Sequence, residues 1–240
     1  MQYEIKGTPF PVVVCHLAAN EMMCCQNGAM AWMSPNMQMS TDAGGSVGSA
    51  FRRAFSGEAM FHNKYIAQGA PGQIAFATTV PGNIIPIQIT PERSVIAQKS
   101  AYLASEPTVE YSIAFQRRFG TGFFGGEGFI MQQFSGNGIV FLELDGSIIE
   151  YDLPKGESML IDTGYLAAMD ASCTMEIEKV KGVKNILFGG EGFFNTKLTG
   201  PGHVWLQTMP VSILGETIRP HICSNGQVVA NVIGKIADNS

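Results

Sequence analysis

The chain has 240 residues, of which 45% are hydrophobic and only 15% are charged, and its formal net charge at pH 7 is −5. This composition argues against a disordered chain, which combines high charge with low hydrophobicity, and against a constitutive nucleic-acid binder, which needs a basic face. No apolar run reaches the roughly 18–20 residues of a membrane helix, and the first six residues lack the plan of a signal peptide. We therefore expect a soluble, globular, cytoplasmic protein.

The cysteines are odd in number, and two of them are adjacent: Cys15, Cys24, Cys25, Cys173 and Cys223. This usage favours reduced thiols in the cytoplasm. None of the spacings between cysteine and histidine matches a zinc pattern, so we expect buried thiols, no metal and no cofactor. Charged residues are too scarce to cover a monomer in the usual way, which predicts a homo-oligomer.

In chain order, the first distinctive stretch is a glycine-rich loop at residues 42–49. Apolar residues then recur at i, i+4 and i+8 from Val47, which predicts a short amphipathic helix within residues 44–55, with Arg52 and Arg53 on its exposed side. Such a helix could close one end of a β-structure or touch an anionic membrane surface. We favour the first role and keep membrane contact as the alternative.

A string of six residues, FGGEGF, occurs at residues 124–129 and again at 188–193. Each copy continues with five residues, a hydroxyl-Gly-x-Gly turn and an x-Val-aromatic-Leu segment, and a weaker copy begins at residues 55–61. Repetition of this kind predicts similar structural units in tandem. The repeat anchors are the glycines and glutamates of the motifs: Gly57, Glu58, Gly126, Glu127, Gly128, Gly190, Glu191, Gly192, and the turn residues Gly136, Gly138, Gly200 and Gly202.

Within the repeats, apolar residues alternate with polar ones, as at residues 109–116 and 173–180. A period of two, interrupted by glycine, proline, asparagine and aspartate, is typical of strands and turns. We predict an all-β fold with very little helix. A unit of about 65 residues buries too little apolar surface to be stable alone, and its strand edges invite pairing.

These constraints predict one body covering residues 1–240. Its internal repeats are expected at approximately residues 1–85, 86–148 and 149–215, followed by a C-terminal tail at 216–240. Three β-units packed around a shared pseudo-threefold axis would cover one another's edges.

Residues 156–170 read GESMLIDTGYLAAMD, and residues 189–207 read GGEGFFNTKLTGPGHVWLQ. On these motifs, and on Arg52-Arg53 followed by Ser-Gly-Glu, the chain resembles the mitochondrial-biogenesis (altered inheritance of mitochondria) family and its bacterial branch. The resemblance covers roughly residues 3–215. It implies a fold like that of the tryptophan RNA-binding attenuation protein, with three tandem TRAP-like units of the β-sandwich or short double-stranded β-helix type. It also implies an oligomer, and it implies no established activity and no catalytic residues.

The repeat glutamates Glu58, Glu127 and Glu191 are the first candidates for chemistry. Paired carboxylates perform acid–base catalysis when their surroundings separate their pKa values. These three occupy equivalent positions in different units, however, which is expected to place them far apart. Their flanking glycines allow one backbone to approach another closely, with the carboxylate accepting backbone N–H groups. We interpret the three glutamates as structural anchors.

The histidines are scattered along the chain, at His16, His62, His203 and His221. None has a patterned nucleophile and acid beside it, and no phosphate-binding loop or nucleophile elbow is present. We interpret His203 as the occupant of a strand position. An enzymatic site would require some of the repeat glutamates, His62 and His203 to approach within hydrogen-bond reach.

We therefore predict a non-enzymatic cytoplasmic protein that acts as an oligomeric scaffold or interaction protein and has itself as its main partner. The alternative is a small-ligand or RNA-binding module that uses grooves between units or subunits. The negative net charge disfavours nucleic acid as a partner.

Overall fold

A computed structural model describes residues 1–40, 62–117, 128–179, 194–215 and 217–218. Across these residues the protein is built almost entirely from antiparallel strands arranged in four sheets, with a short α-helix at residues 211–215 and two 3-10 helices at Lys99–Ala101 and Thr163–Tyr165. The all-β prediction is confirmed. The alternating segment at residues 109–116 lies in strand Val109–Arg117, and residues 174–179 of the segment predicted at 173–180 form strand Thr174–Lys179.

The strands, in chain order, are β1 (Gln2–Lys6), β2 (Val12–Leu17), β3 (Met22–Gln26), β4 (Met30–Met33), β5 (Met37–Ser40), β6 (His62–Ala67), β7 (Gly72–Ala77), β8 (Gly82–Ile89), β9 (Val95–Gln98), β10 (Tyr102–Ser105), β11 (Val109–Arg117), β12 (Phe129–Gly136), β13 (Gly138–Asp145), β14 (Ile148–Leu153), β15 (Ser158–Asp162), β16 (Leu166–Asp170), β17 (Thr174–Lys179), β18 (Phe194–Thr199) and β19 (Gly202–Gln207).

After β1, the strands fall into three consecutive sets of six, here called unit 1 (β2–β7), unit 2 (β8–β13) and unit 3 (β14–β19). In every unit the sixth strand pairs with the first and the third. The fifth strand pairs in every unit with the second and the fourth. The same strand pairing therefore recurs three times along the chain. The common threefold axis and the exact limits of the predicted repeats stay predictions.

A β-bulge marks the same place in each unit. The register between the third and sixth strands shifts between Met30 and Trp32 in unit 1 and between Tyr102 and Ala104 in unit 2. In unit 3 it shifts between Leu166 and Ala168. Bulges are built-in features of a sheet because the extra residue re-aims the side chains that follow. The bulge thus provides a reference point for comparing positions between units.

Two of the sheets continue from one unit into the next. The third strand of unit 2, β10, pairs with β3 of unit 1, and β16 of unit 3 pairs in the same way with β9 of unit 2. We call these pairings joint 1 and joint 2. Each joint merges two three-stranded layers into a six-stranded sheet, with the orders β5-β6-β3-β10-β13-β8 and β11-β12-β9-β16-β19-β14.

The hydrophobic core occupies the space between the two layers of each unit, and neighbouring units share it. Phe141 of β13 packs into the cluster formed mainly by unit 1, whereas Val140 and Leu142 on the opposite face pack into the cluster of unit 2. Phe129 and Met131 of unit 2 likewise complete the cluster of unit 3. Strands with both faces buried lose the alternating pattern, which explains the nearly continuous apolar run in β13.

Candidate functional site

Most of the predicted repeat anchors lie outside the described residues. This applies to Gly57, Glu58, Gly126, Glu127, Gly190, Glu191 and Gly192. It also applies to the glycine-rich loop at 42–49, to the helix predicted within 44–55, and to nearly all of the tail. His62 begins β6, but only its backbone is described. The proposed distance between the repeat glutamates therefore stays a prediction, as does the structural role of the glutamates.

Four of the five remaining anchors form the turns that carry the chain from the fifth strand of a unit to the sixth. Gly136 ends β12 with a φ of +101°, and a Cβ there would lie 2.4 Å from the carbonyl oxygen of Thr108. A Cβ on Gly200 would lie 2.2 Å from the carbonyl oxygen of Leu153. Only glycine fits such approaches. Gly138 and Gly202 open the sixth strands, and Gly128 is buried just before β12.

A cluster of charged side chains surrounds His203 on the face of unit 3. His203 lies opposite Asp152 across the pairing of β19 with β14. Its Nδ1 is 2.6 Å from Asp152 Oδ1, and its Nε2 is 2.9 Å from Glu150 Oε2. Because side chains two residues apart share a face of a strand, Glu150 and Asp152 can reach the imidazole together. The ring also lies against Trp205, with 4.4 Å between the ring centroids.

A second ion pair extends this cluster. Arg93 donates through Nε and Nη2 to Asp170 Oδ1, at 3.1 Å in both cases. The other carboxylate oxygen of Asp170 accepts the backbone N–H of His203 at 3.0 Å. The Arg93 guanidinium carbon lies 5.9 Å from the centre of the Trp205 ring. We call these six residues, Arg93, Glu150, Asp152, Asp170, His203 and Trp205, the His203 cluster.

The electrostatics of the cluster favour a charged, fully engaged imidazole. Partial burial lowers the pKa of His203, but the hydrogen bonds to Asp152 and Glu150 outweigh it and raise the pKa above its usual value. Both ring nitrogens already have carboxylate partners, so neither is available to move a proton to or from a substrate. The arrangement ties β14 to β19. Within the described ranges, no group of three or more histidine, cysteine or acidic residues could hold a metal ion.

Sequence reasoning placed His203 in a strand but did not find its partners. Asp152 and Glu150 lie 51 and 53 residues earlier in the chain. The acid-x-acid spacing in β14 was the available signal. It becomes informative only when the register of β14 against β19 is known.

A buried carboxylate occupies joint 1. Glu143 of β13 accepts a hydrogen bond from Gln26 Nε2 at 2.5 Å and another from the backbone N–H of Thr79 at 3.2 Å. Burial raises the pKa of Glu143 to about 7, against the two hydrogen bonds, which lower it. Joint 2 has polar side-chain contacts of its own, since Gln98 of unit 2 donates to the backbone carbonyls of Gly164 and Leu166 in unit 3, and Gln207 of unit 3 accepts the backbone N–H of Asp145 in unit 2. These side chains hold neighbouring units in register.

The surface near the N-terminus contains one open depression of about 480 Å³, lined by Met1, Gln2, Tyr3, Glu4 and His16. Its charged groups are paired with each other or with neighbours. Glu4 lies 2.7 Å from the ammonium group of Lys6 and 3.4 Å from His16 Nε2. This depression therefore offers few free polar groups for orienting a small ligand.

Within the described part of the chain, two strands that correspond to the joint strands, β4 and β15, pair with no strand of a neighbouring unit. The third strands β10 and β16 are almost completely buried in the joints, but the third strand of unit 1, β4, is mostly exposed. The second strands β3 and β9 are also largely buried, whereas the second strand of unit 3, β15, is not. Among the described strands, β4 pairs only with β7, and β15 pairs only with β18.

Large apolar side chains lie on both of these edges. Trp32 and Met33 of β4 are 47% and 38% exposed, and Leu160 of β15 is 61% exposed. Edge strands of monomeric proteins are commonly protected by lysine, proline or a covering segment. Neither β4 nor β15 contains lysine or proline. We take the two edges as the candidate functional site.

A family model for mitochondrial biogenesis AIM24 matches residues 3–209. The chain belongs to the AIM24 mitochondrial biogenesis family. The resemblance noted on the GYLAAMD and GGEGFF motifs is thereby confirmed. Comparison with curated proteins gave no match.

One solved structure similar to this AIM24-family chain is that of protein SPYM3_0169 from Streptococcus pyogenes, determined by X-ray crystallography. The two chains are 24% identical, with a TM-score of 0.75, and the similarity covers 92% of this chain and 99% of the other. At this identity the likeness shows a common fold. In the part of this AIM24-family chain that the structure describes, no helix is long and apolar enough to cross a membrane.

Proposed function

We propose that the protein is a non-enzymatic scaffold that assembles from copies of itself. The observation that carries this proposal is the unequal burial of equivalent strands. Strands β10 and β16 are buried by the unit before them, while β4 occupies the same position in unit 1 and is exposed. An exposed apolar edge of this kind is favourable only when another strand covers it.

The composition supports self-association as well. Only 15% of the residues are charged, so little of the surface is of the kind that keeps a monomer apart from its copies. Large hydrophobic side chains are exposed on both free edges. Burial of such side chains contributes roughly 25 cal/mol for each Å² of apolar surface removed from water.

The non-enzymatic part of the proposal rests on the engagement of the titratable groups. Both nitrogens of His203 have carboxylate partners, and both oxygens of Glu143 accept hydrogen bonds. Groups that are already saturated by the protein serve structure more readily than proton transfer. A cytoplasmic setting fits the four described cysteines, all of which are buried free thiols.

Sedimentation velocity of the full chain at micromolar concentration tests the proposed assembly. We expect species heavier than the 25.8 kDa chain, in proportions that rise with concentration. A single 25.8 kDa species at every concentration would contradict the proposed self-assembly.

A further inference from the structure

We infer that β4 of one copy pairs with β15 of a second copy and forms a third joint between molecules, built like the two joints inside the chain. This inference rests on the proposed self-assembly and specifies its interface. The surface is the pair of free edges Met30–Met33 and Ser158–Asp162, and the partner is another copy of this chain.

The internal joints share one geometry. In both, the second strand of one unit runs antiparallel to the third strand of the following unit. Ala104 lies opposite Cys25 in joint 1, and Ala168 lies opposite Ala97 in joint 2. Because two independent sequences form the same pairing, the geometry belongs to the unit and not to particular side chains.

The bulge identifies the equivalent residue on β4. Ala104 and Ala168 are the first paired residues after the bulge in units 2 and 3, and Trp32 is the first after it in unit 1. The equivalent residue on β15 follows from the strand ends. Cys25 and Ala97 are the penultimate residues of β3 and β9, just as Ile161 is of β15.

Transferring the register predicts the contacts of the third joint. Trp32 of one copy lies opposite Ile161 of the next, and Met33 lies opposite Leu160. Three of these four side chains are among the large hydrophobic residues that the described structure leaves exposed: Trp32, Met33 and Leu160. Aromatic and aliphatic pairs across antiparallel strands stabilise a sheet. The register derived from the backbone therefore brings three exposed apolar side chains into one contact.

Charge does not oppose this pairing. Residues 30–33 contain no charged side chain, and Asp162 is the only acid in β15. Glu143, which accepts the hydrogen bond across joint 1, corresponds to Ala77 in unit 1. Each directly follows the sixth-strand residue that is paired just before the bulge, Leu142 in unit 2 and Phe76 in unit 1. The third joint therefore has no buried side-chain hydrogen bond like the one between Gln26 and Glu143, and we expect the association of the copies to be reversible.

The topology of the assembly follows directly. Each copy has one β4 edge and one β15 edge, so the contact is head to tail and not self-complementary. Such contacts generate a ring when the rotation closes and an open filament when it does not.

Disulfide trapping tests the predicted register. The experiment uses full chains that contain Cys223→Ser, since the other four cysteines are buried. Chains with Met33→Cys are mixed with chains with Leu160→Cys under mild oxidation. Directly opposite residues of antiparallel strands have Cα atoms about 4.5–5.5 Å apart, which is within disulfide range. We expect a linked dimer in the mixture and none with either chain alone.

A matched control shifts the register. Ser158 lies two residues from Leu160 on the same face of β15. A Ser158→Cys chain mixed with the Met33→Cys chain is expected to give little product, because diagonal pairs lie about 7–8 Å apart. Equal trapping by both pairs would overturn the predicted register.

The remaining outcomes each decide the proposal. Linked dimers of Met33→Cys alone would mean like-with-like pairing, and an internal disulfide in a Met33→Cys, Leu160→Cys double variant would mean closure within one chain. Either result overturns the third joint. A chain that sediments as an oligomer but gives no trapped dimer overturns the joint and leaves the proposed scaffold intact. A chain that sediments as a monomer at every concentration contradicts both the third joint and the proposed scaffold.

An equilibrium measurement supports the trapping. Leu160→Lys and Met33→Lys each place a charge on a free edge and should raise the dissociation constant of the assembly about tenfold or more, equal to about 1.4 kcal/mol. Ile149→Lys is the control, because Ile149 is 43% exposed on β14, outside both edges. Circular dichroism verifies that all three variants are folded. Equal weakening by Ile149→Lys, or no weakening by either edge variant, would contradict the inference.

Discussion

Gln26 and Glu143 are separated by 117 positions in the chain, yet the Gln26 amide nitrogen lies 2.5 Å from a carboxylate oxygen of Glu143. Gln26 ends β3 of unit 1, and Glu143 lies on β13 of unit 2. The bond therefore crosses joint 1 and holds the first two units in register. It also keeps a carboxylate in a largely buried position, which makes the stability of this joint sensitive to pH.

Glu143→Gln should remove one component of that pH dependence. The pKa of Glu143 is about 7 in the folded protein and 4.5 as a reference value, so the folded state binds its proton more tightly. Stability from this group is present below pH 4.5 and is lost as the pH rises to about 7, by up to about 3 kcal/mol. The stability of the variant relative to wild type should thus rise between pH 4.5 and pH 8. Urea denaturation at both pH values measures the difference.

The Glu143→Gln substitution retains the hydrogen bond across joint 1, because the new amide oxygen can accept from Gln26 as the carboxylate oxygen does, but its NH₂ group cannot accept the backbone N–H of Thr79. That loss is the same at every pH, so the change in the stability difference between pH 4.5 and pH 8 reports the carboxyl group. Glu92→Gln is the control, since Glu92 is exposed. A difference in unfolding free energy between wild type and variant that stays constant from pH 4.5 to pH 8 would contradict the assignment.

Asp152→Asn and Glu150→Gln should each lower the pKa of His203. Hydrogen bonds from both carboxylates raise that pKa, so removal of either charge favours the neutral ring. In wild type the stabilisation from His203 is present below pH 6.5 and is lost as the pH rises through the raised pKa. An NMR titration of the imidazole measures the shift. Glu4→Gln is the control, because Glu4 lies beside His16 and not beside His203. A change in the pKa of His203 that is as large in Glu4→Gln as in Asp152→Asn would refute the mechanism.

Gly136→Ala should destabilise the protein far more than Gly156→Ala. Both glycines have positive φ, +101° and +84°, so both substitutions incur about 1–2 kcal/mol of backbone strain. At Gly136 the new Cβ would also lie 2.4 Å from the Thr108 carbonyl oxygen, whereas nothing lies within 4 Å at Gly156. Thermal denaturation should give a clearly lower Tm for Gly136→Ala. Similar Tm values for the two variants would show that the close approach is relieved at little cost.

The described cysteines should resist alkylation in the folded protein. Burial raises the pKa of Cys15 and of Cys25 to about 12, and it also raises the pKa of Cys24 and of Cys173. The thiolate is the reactive form, so little is present at pH 8. In a Cys223→Ser chain, iodoacetamide should label none of them quickly in buffer and all of them in urea, as read by mass spectrometry. Rapid labelling of Cys15 in buffer would contradict its burial.

Local patterns in the sequence were sufficient for the strands and the turns. The alternation at residues 109–116 lies in β11 and that at residues 174–179 forms β17, because a period of two depends only on how successive side chains point from an extended backbone. The Gly-x-Gly turns likewise separate β12 from β13 and β18 from β19. These features involve neighbours in the chain, so no knowledge of long-range pairing is needed.

The partners of His203 and the exposed edges could be identified only from the long-range pairing of the strands. His203 was recognised as a strand residue, but its carboxylate partners became evident only from the register of β14 against β19. The exposed side chains Trp32 and Leu160 look like ordinary apolar positions in the sequence. They differ from their buried counterparts because no other described strand pairs with the outer edge of β4 or of β15.

The all-β class, the repeated motifs and the family can be read from the amino-acid sequence, because periodicity and motifs involve residues that are close together in the chain. The strands that join the units, the place of the Gln26–Glu143 bond and the described edges without a partner are evident only from the fold. Strand pairing connects backbones that are far apart in the chain. Backbone hydrogen bonds are the same for every residue type, so side-chain identities specify them only indirectly.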